Sequence, residues 1–548
     1  MSRVQIIQGK KAVSVDGRPG DNMLDFLRQE GFFVNAPCGG NGTCKKCKVK
    51  VQVESAGSAG SEESEELKTV LACQTPVPDQ DCQIQIPDYS GPSMEIETGF
   101  FSERDRTSAS VEEGISSGSL YGAAVDLGTT TVVAKLCRLS DGKEAGIRSG
   151  WNRQARYGAD VISRVKYIME NQGGLEELCL CARSQIFSMI REMCREQGIE
   201  ENKVVRLSLA GNTIMQHIFA GRSPVSIAAA PFKPETFFLE NEPEKEEDLS
   251  FRLEGEGRWP GLEIFYAPCA AGYVGGDIIA GLGAACQWNG SGKYIYLDVG
   301  TNGEMVLGSR NGLICCSVAS GPAFEGAEIS CGMAGLPGAV SGVKIAEDGK
   351  SLVLETVGDE EPKGICGSGL IDLLAVLVKT GEVNRGGRLL PPEDAREGGV
   401  PDFIVNLLEE DENGNGRLWL TEDHQVWITA DDIRKLQLAK AAVMAGIRVM
   451  MRLAGTRDKD IEKLYIAGGF GRHLDPDSAA AIGMIPERLK GKIVYVGNGS
   501  LAGAAEALES REFREEMVSI QKRCHYLELS GNKIFNDEYL KQMAFMEG

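Results

Sequence analysis

One layout occurs twice in this chain: an apolar strand ends in Asp-x-Gly-Thr, and the chain then turns back into a second strand. The two copies lie at 124–133 and 294–306. In such a turn glycine lets backbone N–H groups approach a phosphate, threonine hydroxyls add donors, and the carboxylate can hold Mg²⁺ directly or through water. A single strand–turn–strand is more often an ordinary hairpin. Two with matching chemistry indicate a duplicated fold that grips a nucleotide from both sides.

A third glycine-rich element, 464–471, is an apolar strand that runs into a turn and could lie against adenosine. It lacks the G-x-G-x-x-G spacing and the βαβ context of a dinucleotide fingerprint. Together the three elements resemble the superfamily that contains acetate and sugar kinases, heat-shock chaperone ATPases and actin, with unrelated hairpins as the alternative. The resemblance implies a duplicated, two-lobed α/β ATPase of the RNase H-like type.

Four of the sixteen cysteines form a set of their own. Three lie on one glycine-rich loop with the spacing C-x5-C-x2-C, and the fourth follows further along the chain: Cys38, Cys44, Cys47 and Cys73. An iron–sulfur cluster needs four thiolates and backbone N–H groups near its sulfurs, which a glycine-rich loop provides. A four-thiolate zinc site is the alternative, but such sites usually pair two short Cys-x-x-Cys knuckles. The loop resembles that of [2Fe–2S] ferredoxins with the β-grasp fold, at a spacing nearer to adrenodoxin than to plant-type ferredoxins.

The acidic composition narrows the range of partners. The net charge of −21 argues against nucleic acid and against an anionic membrane surface, since both attract clustered basic residues. The N-terminus shows no apolar signal core, and no apolar run is long enough to span a bilayer. We therefore expect a cytoplasmic protein in which the remaining cysteines are small buried hydrophobes.

The order of the patterns predicts an α/β protein of several domains, as the length of 548 residues suggests. We expect a ferredoxin-like [2Fe–2S] domain, a flexible linker and the N-terminal and C-terminal lobes of an ATPase, at 1–88, 89–120, 121–290 and 291–548. The pattern predicts helices at 22–28, 175–197 and 431–453, the last opened at 429–431 and stopped by Gly455.

Further motifs sharpen the resemblance. They are spread from the first lobe to the end of the chain, at 210–217, 230–234, 273–277, 320–327, 364–369 and 496–501. Joined to an N-terminal ferredoxin, this set is similar to the reductive activators of corrinoid-dependent enzymes. The similarity covers nearly the whole chain outside the linker.

That resemblance implies a repair function. Corrinoid methyltransferase systems cycle between Co(I) and methyl-Co(III), and occasional oxidation leaves inactive Co(II), to which an activator returns one electron from its cluster. Each 59 mV of uphill transfer costs about 1.4 kcal/mol, so ATP binding or hydrolysis is expected to drive a change between two conformations. The implied partners are a corrinoid protein and a separate reductase or ferredoxin as electron donor, and relatives of this fold often pair as homodimers.

The resemblance also assigns residues to roles. The four cysteines would hold a [2Fe–2S] cluster, Asp126 and Asp298 would serve Mg²⁺ and phosphate, and Glu304 could position water, with an exposed turn carboxylate as the alternative. Residues expected to hold phosphate oxygens are Gly128, Thr129, Thr130, Thr131, Gly300, Thr301, Asn302 and Gly303. Those expected near adenosine are Gly468, Gly469, Phe470 and Gly471. For Asn212 and His217 we expect a structural role, since a lone histidine is often a satisfied core residue.

Three other functions fit parts of the same pattern. A small-molecule kinase with a regulatory cluster would phosphorylate an added substrate without a protein partner. A plain electron carrier or redox-sensing module would use the nucleotide fold only for docking, which the intact Asp126 and Asp298 disfavour. An activator of a radical dehydratase or reductase would hold its cluster between subunits, for which only Cys331 and Cys366 could serve, at an unconvincing spacing.

One segment matches a calcium-binding motif in its residues but not in its flanking pattern. Residues 411–422 satisfy the D-x-[DN]-x-[DN]-G-x5-E pattern of an EF-hand loop. That motif requires flanking helices, whereas 417–420 and 425–429 have the pattern of strands. We therefore interpret the segment as an acidic hairpin turn.

Overall fold

The computed structural model describes most of the chain: residues 1–9, 11–32, 34, 36, 40, 42, 47–53, 67–87, 99–100, 120–239, 257–286, 288–326, 328–410, 416–469 and 473–545. The chain divides into two compact units. The first joins Met1–Met94 to Trp151–Gly174, and the second joins Glu95–Gly150 to Leu175–Gly548. Within the described ranges, no helix is both long enough and apolar enough to cross a membrane.

The first unit is built on a small sheet with one helix packed on it. Its elements in chain order are β1 (Ser2–Gln8), β2 (Lys11–Gly17), α1 (Met23–Gln29), β3 (Lys48–Val53), β4 (Lys68–Leu71) and β5 (Cys82–Ile86). The strand order is β2-β1-β5-β3-β4, with β1 parallel to β5 and the other pairs antiparallel. This arrangement agrees with the expected β-grasp ferredoxin fold.

Local sequence explains why the sheet and helix of this unit form. In β1 the apolar Val4 and Ile6 are buried, and the alternate side chains are exposed, as in a strand with one wet face. The helix α1 begins at Asn22, whose side chain accepts hydrogen bonds from the backbone N–H groups of Leu24 and Asp25 at 3.0 and 3.3 Å. The predicted helix at 22–28 is therefore confirmed to within one residue.

The first unit also contains α2 (Val161–Glu170), which the sequence pattern did not place there. Asp160 and Ser163 form a capping box at its start. Arg164 is fully buried, and its guanidinium donates to Gly158 O at 3.0 Å and Gln154 Oε1 at 3.4 Å. A buried charge needs such partners, because an unpaired one is very costly.

The second unit begins with a five-stranded sheet. Its elements are β6 (Tyr121–Leu127), β7 (Thr131–Arg138), β8 (Glu144–Trp151), α3 (Gly174–Gln197), β9 (Val204–Gly211), α4 (Thr213–Phe219), β10 (Glu263–Tyr266) and α5 (Gly276–Ala285). The strand order is β10-β9-β6-β7-β8. Helix α3 matches the predicted helix at 175–197.

A larger set of elements completes this unit. They are β11 (Lys293–Val299), β12 (Gly303–Ser309), β13 (Gly312–Val318), β14 (Ala339–Ile345), β15 (Leu352–Thr356), β16 (Gly364–Ile365), α6 (Gly367–Thr380), α7 (Pro392–Glu397), α8 (Asp402–Val405), β17 (Leu408–Glu410), β18 (Gly416–Trp419), β19 (Trp427–Thr429), α9 (Ala430–Leu453), β20 (Ile461–Ala467), α10 (Pro476–Ala481), β21 (Ile493–Gly497), α11 (Gly499–Glu509), α12 (Arg511–Arg523), β22 (Cys524–Tyr526) and α13 (Lys533–Gln542). The main sheet has the order β21-β20-β11-β12-β13-β22, and β15-β14-β16 and β17-β18-β19 form two small sheets.

The two main sheets of this unit repeat one topology. In each, an antiparallel trio (β6-β7-β8 or β11-β12-β13) is extended by two strands parallel to its first member (β9 and β10, or β20 and β21). The register repeats as well, since Asp126 lies opposite Ala210 and Asp298 lies opposite Ala467. The expected duplication of an RNase H-like half is confirmed.

Helices α5 and α11 pack on each other and share one apolar core with both sheets. That core joins Ala124 and Val133 of the first sheet to Tyr296 and Val306 of the second. The helices come very close at Gly503, where an added Cβ would lie 2.3 Å from Ala280 O. Any larger residue would force the helices apart, so this glycine is required by packing.

Hydrogen bonds between neighbouring residues fix the start of helix α9. The side chain of Thr429 accepts from the N–H of Asp432, and the Asp432 carboxylate accepts from the N–H of Thr429, forming a capping box. Asp432 Oδ1 also accepts from Ser330 N at 2.9 Å, which ties a long loop to the helix. The predicted helix at 431–453 is confirmed.

Candidate functional site

Asp126, one of the two expected Mg²⁺–phosphate aspartates, lies at the carboxyl end of β6. Its two carboxylate oxygens accept hydrogen bonds from Asn498 Nδ2 at 2.9 Å and Ser500 Oγ at 2.8 Å. Both donors lie at the start of α11, the helix that follows strand β21 of the other main sheet. Burial raises the pKa of Asp126, and the two hydrogen bonds offset part of that rise.

Asp298 occupies the equivalent position in β11 and lies directly across from Glu304 in the β11–β12 pairing. Burial, together with the negative charges of Asp126 and Glu325, raises its pKa to about 7. A Cβ on Gly468 would lie 2.8 Å from Asp298 Oδ1, and the φ of Gly468 is +84°. Only glycine fits both demands, which brings the third predicted element against the second turn.

Two further acids, not assigned from the sequence, enter the same region. Asp277, in the first turn of α5, has its pKa raised to about 7 by burial and by the charges of Asp298 and Asp126. Glu325 Oε1 accepts from Thr301 Oγ1 at 3.0 Å, and burial raises its pKa. Both residues lie in motifs that the sequence analysis identified. A sequence can show that an acid lies in the first turn of a helix, but it does not show which groups that acid faces.

Glu304 is not the exposed turn residue of the alternative interpretation. It lies within β12, and burial, followed by the charges of Asp277 and Asp298, raises its pKa well above the ordinary value. Each of the five acids is enclosed by protein yet keeps part of its surface in solvent, as expected for the walls of a cleft: Asp126, Asp277, Asp298, Glu304 and Glu325. We call this set the carboxylate cleft.

Close contacts and hydrogen bonds fix the two predicted phosphate turns. In the first, a Cβ at Gly128 would lie 2.8 Å from Thr131 O, and Thr129 Oγ1 accepts from Asn212 Nδ2 at 3.0 Å. In the second, Gly300 N donates to Asn302 O at 2.9 Å. Thr130 stands in the first turn, while Thr131 and Gly303 begin the strands that follow. Phe470 and Gly471, expected near adenosine, lie outside the described residues.

Asn212 and His217 have the local partners of structural residues. Asn212 caps α4 by accepting from Met215 N at 3.0 Å. The imidazole of His217 is buried between two backbone groups, with Nδ1 2.7 Å from Thr213 O and Nε2 accepting from Thr236 N at 3.3 Å. Burial lowers its pKa. Both agree with the structural role expected.

The chemistry of the carboxylate cleft suits a divalent cation that arrives with a nucleotide. Among the described residues, no three His, Cys, Asp or Glu side chains converge closely enough to form a metal cage by themselves. Mg²⁺ bound to a nucleotide keeps several waters and needs only one or two carboxylates besides the phosphates. Carboxylates whose pKa values are raised by burial and mutual repulsion gain from such a charge.

In the first unit, two of the four expected cluster ligands come together. The sulfur atoms of Cys47 and Cys73 are 3.2 Å apart, although 26 residues separate them. Gly40 and Gly42 have φ angles of +99° and +77°, and a Cβ at Gly42 would collide with the side chain of Gln74. Glycines with positive φ angles near two converging thiols fit a thiolate-ligated cluster. Cys38 and Cys44 lie outside the described residues.

Two of the rival interpretations concern other parts of the second unit. The sulfur of Cys331 lies 3.6 Å from Gln425 O, and that of Cys366 lies 3.4 Å from Val340 O, so each thiol contacts a backbone carbonyl from another part of the chain. The calcium motif lies between strands β17 and β19 and contains β18, so strands and not helices flank it. Its loop, 411–415, lies outside the described residues.

Comparisons with known families match three parts of the chain. Residues 6–78 match the 2Fe-2S iron-sulfur cluster binding domain, 121–287 match the RACo middle region, and 293–548 match the C-terminal domain of RACo, the ASKHA domain. Fold and site thus define the class of protein, which joins a [2Fe–2S] domain to an ASKHA-type ATPase domain.

Relatives along the whole chain narrow that class. A solved structure, the reductive activator for corrinoid, iron-sulfur protein, is 31% identical, with a TM-score of 0.68, and the match covers 100% of this chain and 98% of that one. The corrinoid activation enzyme RamQ of Eubacterium limosum is 27% identical over 95% of both chains. The [Co(II) methylated amine-specific corrinoid protein] reductase of Methanosarcina barkeri is 25% identical over 78% of this chain and 77% of its own. The chain belongs to the RACo family, the reductive activators of corrinoid proteins.

Proposed function

We propose that this protein is an ATP-dependent reductive activator that returns the inactive Co(II) of a corrinoid protein to Co(I) with one electron from its [2Fe–2S] domain. Membership of the family supports the proposal, as do relatives named for corrinoid activation and Co(II) reduction. The observation that carries it is that one chain contains both converging cluster thiols and a carboxylate cleft built from two duplicated halves. When bound, the cluster supplies one-electron redox chemistry.

In this proposal the four predicted cysteines hold the cluster, and the cleft holds Mg²⁺ and ATP. Asp126 and Asp298 meet the metal or its waters from the two halves, and the turns that follow them donate to phosphate oxygens. The third glycine element borders the same cleft. Gly468 lies against Asp298, on the side of the metal, and Gly469 continues toward adenosine.

Glu304 and Asp277 share the role of positioning the attacking water. Both carboxylates lie near enough to Asp298 to feel its charge, and both have raised pKa values. The charge of Mg²⁺ would lower these pKa values and so prepare a carboxylate to accept a hydrogen bond from water. Asp277 is thus an addition to the assignment made from the sequence.

ATP is needed because the electron transfer is uphill for most donors. Each 59 mV costs about 1.4 kcal/mol for one electron. A nucleotide can supply that energy only if it binds two conformations with different affinity. The duplicated halves, which share one core through α5 and α11, are where we place the two conformations.

The remaining parts of the proposal concern partners. The corrinoid protein of a methyltransferase system receives the electron, and a separate reductase or ferredoxin reloads the cluster. We propose a cytoplasmic protein that works as a homodimer, as relatives of this fold often do. Neither nucleic acid nor a membrane surface attracts a chain of net charge −21.

The test is an anaerobic assay with the cluster-loaded full-length chain, a reductant and a Co(II) corrinoid protein of a methyltransferase system. Absorbance should show Co(I) with Mg²⁺·ATP but not with ATP and EDTA. Cys73→Ser and Asp298→Asn should abolish the change. Cys82→Ser and Asp348→Asn are matched controls, a buried thiol outside the ligand set and an exposed aspartate outside the cleft, and should behave like the wild type. Co(I) formation that ignores ATP would contradict the proposal.

A further inference from the structure

The two turn aspartates are equivalent in position but not in environment. Asn498 and Ser500 donate to the two oxygens of Asp126 at 2.9 and 2.8 Å. Asp298 accepts no side-chain hydrogen bond from the described residues, and negative charges of Asp126 and Glu325 surround it. The duplicated fold therefore supports one aspartate with neutral donors and leaves the other among acids.

The duplication explains this difference. In each half a helix follows the outermost parallel strand, α5 after β10 and α11 after β21. The first turn of α11 meets Asp126, which belongs to the other half. The first turn of α5 carries Asp277, whose pKa is raised by burial and by the charge of Asp298 of the opposite half. Equivalent helix starts thus carry donors in one half and an acid in the other.

Asn498 is fixed before any ligand arrives. Its backbone N–H donates to Gly99 O at 2.9 Å, and its side-chain oxygen caps α11 by accepting from Leu501 N at 2.8 Å. These contacts leave its amide NH2 directed at Asp126. Ser500 is only 8% exposed. Because Asn498 and Ser500 have little conformational freedom of their own, they keep the carboxylate of Asp126 in one orientation.

Asp126 keeps capacity for a ligand after both hydrogen bonds are made. A carboxylate has about four acceptor sites, so two remain. Hydrogen bonds to a metal-binding carboxylate orient it, and their loss typically costs 10–100-fold in metal affinity. We infer that Asn498 and Ser500 are positioning residues that aim the free lone pairs of Asp126 at nucleotide-bound Mg²⁺ or at a water of that ion.

This inference rests on the proposed nucleotide site and adds to it two residues from the other half of the ATPase. Because Asn498 and Ser500 act through Asp126 and not on the nucleotide, their loss should appear only when the metal is present. A merely structural role would weaken binding equally with and without the metal. The dependence on Mg²⁺ therefore separates the two roles.

The test measures binding of a non-hydrolysable ATP analogue to the full-length protein, once with Mg²⁺ and once with EDTA. Ser500→Ala should weaken binding about 10-fold with Mg²⁺ and leave binding in EDTA unchanged. Ser500→Thr keeps a hydroxyl and should restore affinity. Asn498→Asp keeps the helix cap but replaces the donor with a negative acceptor, so it should lose at least as much as Ser500→Ala.

A matched control exists elsewhere in the same unit. The hydroxyl of Ser478 lies beside the buried carboxylate of Asp372 and lowers its pKa, outside the carboxylate cleft. Ser478→Ala also removes a hydroxyl beside a buried carboxylate and should bind the analogue like the wild type. With Mn²⁺ in place of Mg²⁺, the electron paramagnetic resonance spectrum of the bound ion should change in Ser500→Ala and not in Ser478→Ala.

Two results would overturn the inference: unchanged binding in Ser500→Ala, or equal losses with Mg²⁺ and with EDTA. The measurements need no corrinoid protein. A wild-type chain that binds the Mg²⁺ analogue but fails to reduce Co(II) counts against the proposed function alone. A wild-type chain that binds no nucleotide counts against both.

Discussion

Like charges crowd the carboxylate cleft at the scale of single residues. Burial and mutual repulsion raise the pKa values of Asp277 and Asp298 to about 7, and they raise that of Glu304 well above its ordinary value. This repulsion opposes the ionisation of all these carboxylates together. A bound divalent cation would remove the repulsion, which is why we place the metal there.

Gly468 offers the sharpest test at this scale. Gly468→Ala puts a Cβ 2.8 Å from Asp298 Oδ1 at a φ of +84°, so it should displace that carboxylate and abolish binding of Mg²⁺·ATP. The strained φ alone should also cost about 1–2 kcal/mol of stability. Calorimetric titration measures the first effect and urea unfolding the second.

Gly399→Ala is the matched control for that substitution. Gly399 has a φ of +76° and nothing within 4 Å of its added Cβ, so it shares the backbone strain without the steric contact. It should lose similar stability and bind Mg²⁺·ATP normally. Normal binding in Gly468→Ala would show that this glycine does not lie at the metal end of the cleft.

How much could be predicted differs among these residues. Asp126 and Asp298 are visible in sequence because each ends an apolar strand before a glycine turn, which is a local pattern. Asp277 and Glu325 are not, since their role depends on helix α5 and a loop meeting the turns in three dimensions. The same holds for Asn498 and Ser500, which reach Asp126 from 372 and 374 residues away.

At the scale of elements, the C-terminal helix is fastened to α9 by a buried lysine. Lys440 Nζ donates to Gln542 O at 2.6 Å and to Ala544 O at 2.8 Å, beside the ring of Phe545. Burial lowers its pKa to about 8. The last residue of α13 is thus held by a cation at its negative end, which is favourable for a helix dipole.

This lysine predicts a pH dependence. Below pH 8 the group is charged in both the folded and unfolded states, and burial of the charge costs stability. Between pH 8 and about 10.4, the ordinary lysine pKa, the unfolded state holds more protons, so stability rises with pH. Relative to Lys440→Met, the wild type should gain up to roughly 3 kcal/mol over this range, measured by urea unfolding at pH 7 and pH 10.

The matched control for this prediction is Lys435→Met on the same helix. Lys435 also donates to a backbone carbonyl, that of Glu328 at 2.7 Å, but its side chain stays partly in water. Its difference from the wild type should change less with pH than that of Lys440→Met. An equal change in both variants would mean that burial of Lys440 is not the cause.

Helix ends were predictable where the capping residues are adjacent in sequence. Asn22 starts α1 and Thr429 starts α9 through their own side chains, so both helices were found to within one residue. The placement of α2 was not found, because its capping box shows only that a helix begins at Asp160. Membership in the first unit depends on distant contacts.

At the scale of the whole molecule, two kinds of chemistry share one chain. The first unit brings Cys47 and Cys73 together at a thiolate site, and the second brings Asp126 and Asp298 together from duplicated halves. The thiolate site does not account for the carboxylate cleft, nor the cleft for the thiolate site. A chain that carries both therefore needs a function that couples electron transfer to nucleotide binding. The domain order was readable from sequence because each chemistry has its own compact motif.

The most direct test of this coupling is a rapid-mixing experiment. The protein with reduced cluster is mixed anaerobically with Co(II) corrinoid protein, with or without Mg²⁺·ATP, and the cluster and cobalt absorbances are followed together. The account predicts that cluster oxidation and Co(I) formation occur in equal amounts and at equal rates, and only with Mg²⁺·ATP. Cluster oxidation without Co(I), or a rate that ignores ATP, would contradict it.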